Sequence, residues 1–147
     1  MAVNKMKNAS IHEILTRAGE AQTRVEKVEV LREYNTLALR DVLKGAYDDT
    51  IQFIIPKGTP PYNPARPESV PSNLRKQSAK FRFFVRGGPG EQLPKIKVEQ
   101  MFIKVLEVVH PDDAKVVILM KDKALDGVYK GITKKLVMEA FPGLIRA

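Results

Sequence analysis

The run Val116-Val117-Ile118-Leu119-Met120 is uninterrupted by any polar side chain, so the element it forms has no face to offer to water. A helix through it must be buried on nearly every side. A strand through it must be a central one, because three of the five residues are β-branched and fit either form. The flanks favour helix: Pro111 suits a first helical turn, and Asp112 and Asp113 complement the positive end of the helix dipole, predicting a helix over residues 111–123.

The neighbours that such a helix needs are also written as helices. Val98, Phe102, Val105 and Val109 recur at spacings of four, three and four, with Lys97, Gln100, Lys104 and Glu107 on the opposite stripe, which predicts an amphipathic helix over 96–109 that ends at His110-Pro111. Thr133 is placed to cap a helix that buries Leu136, Val137, Ala140 and Phe141 and stops at Pro142-Gly143. Near the start, Ser10 with Glu13 and Thr23 with Glu26 have the spacing of capping boxes. The second of these helices carries Val25, Val28, Leu31 and Arg32, breaks near Asn35-Thr36, and leads into another with Leu37, Leu39, Val42, Leu43 and Ala46. Residues 28–48 and 103–123 share a plan of helix, break and second apolar helix, which admits an old duplication, although a solenoid requires about three repeats.

The middle of the chain reads differently. Ile51-Gln52-Phe53-Ile54-Ile55 is an extended buried segment or a lone strand. Residues 56–71 hold six of the ten prolines and form a loop, part of it polyproline II. Its Pro61-x-x-Pro64 and Pro64-x-x-Pro67 spacings fit a ligand for proline-binding domains, but a stiff surface connection is the simpler reading. Residues 72–86 admit two readings. A helix capped by Ser72 and stopped by Gly87 turns Leu74, Phe81, Phe84 and Val85 inward. A strand puts Phe81, Phe83 and Val85 on one side, with Phe84 the exception. The bracketing Ser72 and Gly87-Gly88 favour about four turns of helix. Arg86-Gly87-Gly88-Pro89-Gly90-Glu91 lacks the lysine and hydroxyl residue that follow the last glycine of a phosphate loop, so the helix start at Gly131-Ile132-Thr133-Lys134-Lys135 is the better anion site.

Charge and composition narrow the function. The net charge of +8 is concentrated in residues 51–100, where nine basic side chains face three acidic ones. Arg75, Lys76, Lys80, Arg82 and Arg86 lie in a window free of acidic residues, a pattern that suits a polyanion. With no cysteine, disulfides, thiolate catalysis and zinc-thiolate sites are excluded, in keeping with a reducing cytoplasm. The first ten residues hold lysines and no apolar core, and the 116–120 run is too short to span a bilayer, so neither a signal peptide nor a membrane span is expected. His12 and His110 stand far apart with no ligand pattern beside them, and read as satisfied or exposed histidines. Asp48-Asp49 and Asp112-Asp113 fall at helix boundaries, and no motif joins a nucleophile to a base, so no enzyme activity and no cofactor are expected.

Several strings carry a resemblance. His110-Pro111-Asp112-Asp113-Ala114, Lys121-Asp122-Lys123, Tyr129-Lys130-Gly131-Ile132-Thr133-Lys134-Lys135 and Phe141-Pro142-Gly143-Leu144-Ile145 resemble an uncharacterised family of T4-like tailed phages, marine ones included. Leu37-Ala38-Leu39-Arg40 and Gly58-Thr59-Pro60-Pro61-Tyr62-Asn63-Pro64 point the same way. More distantly, Leu39-Arg40-Asp41-Val42 through Ala46-Tyr47, Ile51 to Ile55, and Lys121-Asp122 followed by a glycine-containing loop and Pro142-Gly143-Leu144-Ile145 resemble the helical N-terminal DNA-binding domain of phage ATP-dependent DNA ligases. That resemblance implies DNA contacts at Gly127, Gly131, Thr133, Lys134 and Lys135. The loop is several residues longer than the ligase pattern. The nucleotidyl-lysine motif K-x-D-G is absent, since Lys123-Ala124-Leu125-Asp126-Gly127 has one residue too many, so the resemblance implies binding without ligation.

The expectation is a mainly α, single helical domain over 1–147, with six or seven helices, a proline-rich excursion at 56–71 and at most one or two short strands. Its expected role is non-catalytic binding of DNA or a nucleoprotein in the cytoplasm of an infected host. The alternative is an adaptor for a phage or host protein, or a small assembly component.

Overall fold

The polar-free run is central because four helices surround it. The computed structural model describes residues 9–146; the expectation about a signal peptide falls largely on residues outside that span. In chain order the helices are α1 (Ile11–Glu20), α2 (Arg24–Glu33), α3 (Leu37–Tyr47), α4 (Leu74–Gln77), α5 (Lys95–Val108), α6 (Pro111–Lys121), α7 (Leu125–Val128) and α8 (Lys134–Ala140). Two 3-10 helices, Ser78–Phe84 and Pro89–Gln92, lie between α4 and α5. The helix α6 packs against α1, α3, α5 and α7, leaving Lys115 its one exposed side chain. The eight α-helices among the described residues exceed the expected six or seven because α7 is a single turn with no sequence periodicity to announce it, whereas α4 is the first turn of the helix expected over 72–86.

Local signals set most of the boundaries. Ser10 and Glu13 form the complete capping box, with the Ser10 hydroxyl accepting from the Glu13 N–H and the Glu13 carboxylate accepting from the Ser10 N–H. Thr23 caps α2 in the same way, but Glu26 reaches one residue further back, to the Gln22 N–H, so this box closes on one side only. Thr36 and Thr133 cap α3 and α8. The helix α6 stops at Lys121, two residues earlier than expected, because Lys123 turns to a positive φ of 57°. Helices α3 and α6 approach closely at Gly45, where a Cβ would lie 2.8 Å from the Met120 sulfur.

Among the described residues, strand is confined to one antiparallel bridge between Phe53 and Val85, with Ile54 and Arg86 donating N–H groups to Phe84 and Gln52. Residues 72–86 are therefore neither of the two expected forms. Asn73, not Ser72, provides the cap, one turn of α-helix follows, and the 3-10 helix then carries the chain to the extended Val85. A 3-10 helix has three residues per turn, and the buried side chains Ser78, Phe81 and Phe84 recur at that spacing. Neither a period of 3.6 nor a period of two describes this segment.

The C-terminal end of α6 ties the core to the proline-rich excursion. The fully buried Lys121 ammonium donates to the carbonyls of Pro56 (2.9 Å) and Gly58 (3.0 Å) and pairs with Asp122, which in turn accepts from the Gly58 N–H. Lys123 reaches the other way and donates to the carbonyls of Gly45 and Asp48 at the end of α3.

Two substitutions test this arrangement by urea unfolding. Ile118→Ala, at a position 7% exposed, is expected to lose about 2–5 kcal/mol. Lys121→Met keeps the stem, strands two carbonyls and a carboxylate, and should lose about 3–5 kcal/mol; an unchanged midpoint would mean that the clamp does not hold the loop.

Candidate nucleic-acid interface

The basic window is displayed by the 3-10 period. Its buried row anchors the segment: Phe84 meets Phe102 edge-on, with ring centroids 5.2 Å apart, and Ser78 is hydrogen-bonded to Asp41 of α3. Burial raises the Asp41 carboxyl above its usual range, opposed by that hydrogen bond and by Arg40 and Lys44. The remaining rows carry the charge. Arg75, Lys76, Arg82 and Arg86 are exposed and Lys80 is half-buried, and none of the five takes part in an ion pair among the described residues. The Arg82 guanidinium rests 5.1 Å from the centre of the Phe83 ring, which orients it at little cost in hydration.

The glycine-rich turn after this segment serves packing. A Cβ on Gly90 would lie 1.8 Å from the Phe83 carbonyl oxygen, so only glycine allows the turn to close over the 3-10 helix. Gly87 takes the expected left-handed φ, +82°, but its N–H donates to the Glu91 carboxylate at 2.6 Å. The amide that a phosphate loop would offer already has an acidic partner.

The residues implied by the ligase resemblance lie elsewhere. Gly127 falls within α7, and Gly131 and Thr133 lead into α8, which packs mainly on α2, whereas the 74–84 segment packs on α3 and α5. The Tyr47 hydroxyl donates to the Ile132 carbonyl and holds the loop in place. Lys134 pairs with Asp49 at 3.0 Å, and Lys135 is left exposed. The Lys121-Asp122 pair that opens the resembling stretch is buried in the clamp described above. The two predicted basic groups are thus separate features built on different helices.

The structure adds residues to the first group. Lys44 lines a cavity of about 240 Å³ together with Arg82, Asp41 and Phe53. Its place four residues after Arg40 on one helix was a readable signal, but nothing in the sequence joined α3 to residue 82.

It also brings His12 and His110 together, each 3.8 Å from Asp112. Tyr129 and His12 share a 2.6 Å hydrogen bond, and burial, with Asp113 and Asp112 nearby, pushes the Tyr129 hydroxyl up to about 12, so the hydroxyl stays neutral. His110 Nδ1 accepts from the Asp112 N–H and caps α6. Buried Asp113 accepts from the His12 N–H at 2.8 Å and joins the starts of α1 and α6. The histidines are satisfied, as the sequence suggested, within a structural cluster that no local motif signals.

Desolvation raises the Asp113 carboxyl above its ordinary 3.8 despite hydrogen bonds from His12 and Ile11. Its contribution to stability is therefore full below that value and is lost as pH rises through the raised one. Asp113→Asn keeps an acceptor without the charge, and should gain in stability on the parent as pH is taken from about 4 to 7. Urea midpoints across that range check this; a pH-independent gap would contradict it.

The sequence profile of a family of unknown function, DUF6433, matches residues 14–127. The matched span includes the whole 75–86 window and stops short of Thr133-Lys134-Lys135. No match was found among curated proteins.

Proposed function

We infer that this chain, which belongs to the DUF6433 family, is a non-catalytic DNA-binding protein that contacts the phosphate backbone. The observation that carries the reading is the set of five basic side chains at 75–86, without an ion pair among the described residues and held on a segment whose other face is anchored in the core. Cations already paired with carboxylates gain little from a phosphate; unpaired ones release condensed counterions when they meet one. Phosphate contacts carry no base information, and no recognition helix is apparent in the sequence, so binding is expected to show little sequence preference.

The resemblance to phage proteins and to ligase DNA-binding domains supports the same reading and suggests the cytoplasm of an infected host as the setting. No helix among the described residues is long and apolar enough to cross a membrane. The adaptor alternative would draw on the exposed Val25, Leu37, Ile96 and Val128, but these stand on four different helices and form no single row.

Charge reversal tests the proposal. Near physiological salt the parent should bind a short duplex with a dissociation constant of about 10⁻⁴ to 10⁻⁶ M, its affinity falling with salt by a log-log slope of about 0.9 per phosphate contact. Glutamates at Arg82 and Arg86 should weaken binding and flatten that slope. Glutamates at Lys134 and Lys135 should do less, because Lys134 already has Asp49. If the parent does not bind, or all three proteins share one affinity and one slope, the adaptor reading replaces this one.

A further inference from the structure

A second basic feature starts from Arg40 of α3 and involves none of the 75–86 side chains. Arg40 is half-buried, forms no ion pair among the described residues, and its Nε is buried with no hydrogen-bond partner. Buried donors in native proteins nearly always have a partner, so an orphan on an arginine points to a group that arrives from outside. Its sequence neighbour Asp41 feels the Arg40 charge but makes no hydrogen bond to this Nε.

Arg40 lines a cavity of about 660 Å³ whose other walls include Arg32, Asn35 and the turn Phe141-Pro142-Gly143. Arg32 is fixed there by two hydrogen bonds, from Nε to the Ala140 carbonyl (3.0 Å) and from Nη2 to the Glu139 carbonyl (2.9 Å). A guanidinium has five N–H donors, so Arg32 keeps donors for a ligand while its position is set by the end of α8. No carboxylate of the described residues lines this cavity. By contrast, the cavity beside Arg75 contains Asp113 and the one beside Arg82 contains Asp41.

We propose that Arg40, Arg32 and Asn35 form a binding site for a phosphate oxyanion, carried either as the terminal phosphate of a nucleotide or strand end or as a phosphodiester within a chain. Planar guanidinium forks match the paired oxygens of such a group, the amide of Asn35 adds a neutral donor, and the volume leaves room for an attached sugar. The site stands whether or not the 75–86 surface binds DNA.

The test compares the parent with Arg40→Leu. An arginine that serves the fold would lower the melting temperature when replaced; one that awaits a ligand should not, because the substitution removes an unsatisfied buried donor. Inorganic phosphate raises the stability of most proteins through ion exclusion, so the readout is the difference between the two proteins. The parent should show an additional, saturating rise in melting temperature with phosphate, absent from Arg40→Leu. Equal responses, or a marked loss of stability in Arg40→Leu without phosphate, would overturn the site. A short duplex with and without a 5′-phosphate separates the sources: at least tenfold tighter binding of the phosphorylated form by the parent alone assigns a terminal phosphate, and equal affinities that both fall in Arg40→Leu assign a phosphodiester. Unchanged duplex affinities in Arg40→Leu leave free phosphate or a mononucleotide as the ligand if the saturating rise persists in the parent, and reject the site if it does not. Arg82 and Arg86 reversed to glutamate should keep the phosphate response whatever happens to duplex binding, so failure of the surface and failure of this site are distinguishable.

Discussion

A lysine ammonium with no exposure to water must find oxygen inside the protein, and the way Lys121 does so organises the molecule. Its partners are the carbonyls of Pro56 and Gly58 and the carboxylate of Asp122. Because Lys121 ends the most buried helix, this one group fastens the start of the proline-rich excursion to the centre of the core. The extended segment 51–55 is thereby held where Phe53 can bridge Val85, and the bridge positions the far end of the basic segment. Removing one partner of such a buried group leaves the others unpaired, which is costlier than never having built the pair.

The same chemistry recurs at helix ends. The last carbonyls of a helix lack internal partners and carry the negative end of its dipole, so a cation from elsewhere in the chain satisfies both needs. Lys27 donates to the Gly19 carbonyl near the end of α1, Lys123 serves α3, and Arg32 serves α8. Several of the cations behind the net charge are therefore internal fasteners. What distinguishes the 75–86 window is that its five basic side chains have no such duty among the described residues, and what distinguishes Arg40 is a buried donor that finds no partner among them. Both support a partner rich in phosphate, and the two share no side chain.

Much of the architecture was readable locally. The Ser10 and Glu13 box, the threonine caps, the apolar period of α5 and the polar-free run of α6 all report on contacts within about one helical turn, or on a face that repeats along one element. The segment 72–86 was not readable in the same way, because a 3-10 helix stabilised by Phe84 against Phe102 follows a period that neither a helix nor a strand template contains. The single-turn α7 escaped for the related reason that four residues are too few to show any period.

The candidate sites divide along the same line. Sequence alone established that the basic residues cluster between 75 and 86 and that no acidic neighbour in the chain balances them. It could not establish that Lys134 meets Asp49, that Lys121 is buried beneath Pro56, or that Lys44 shares a cavity with Arg82. Nor could it join the arginine at position 40 to the one at 32 across the end of α8. A cap closes over three residues, and its energy depends on residues that the chain already holds side by side. Whether a lysine or arginine is free depends on which oxygens lie within reach after folding, and for Lys121 and Pro56 those atoms are 65 positions apart.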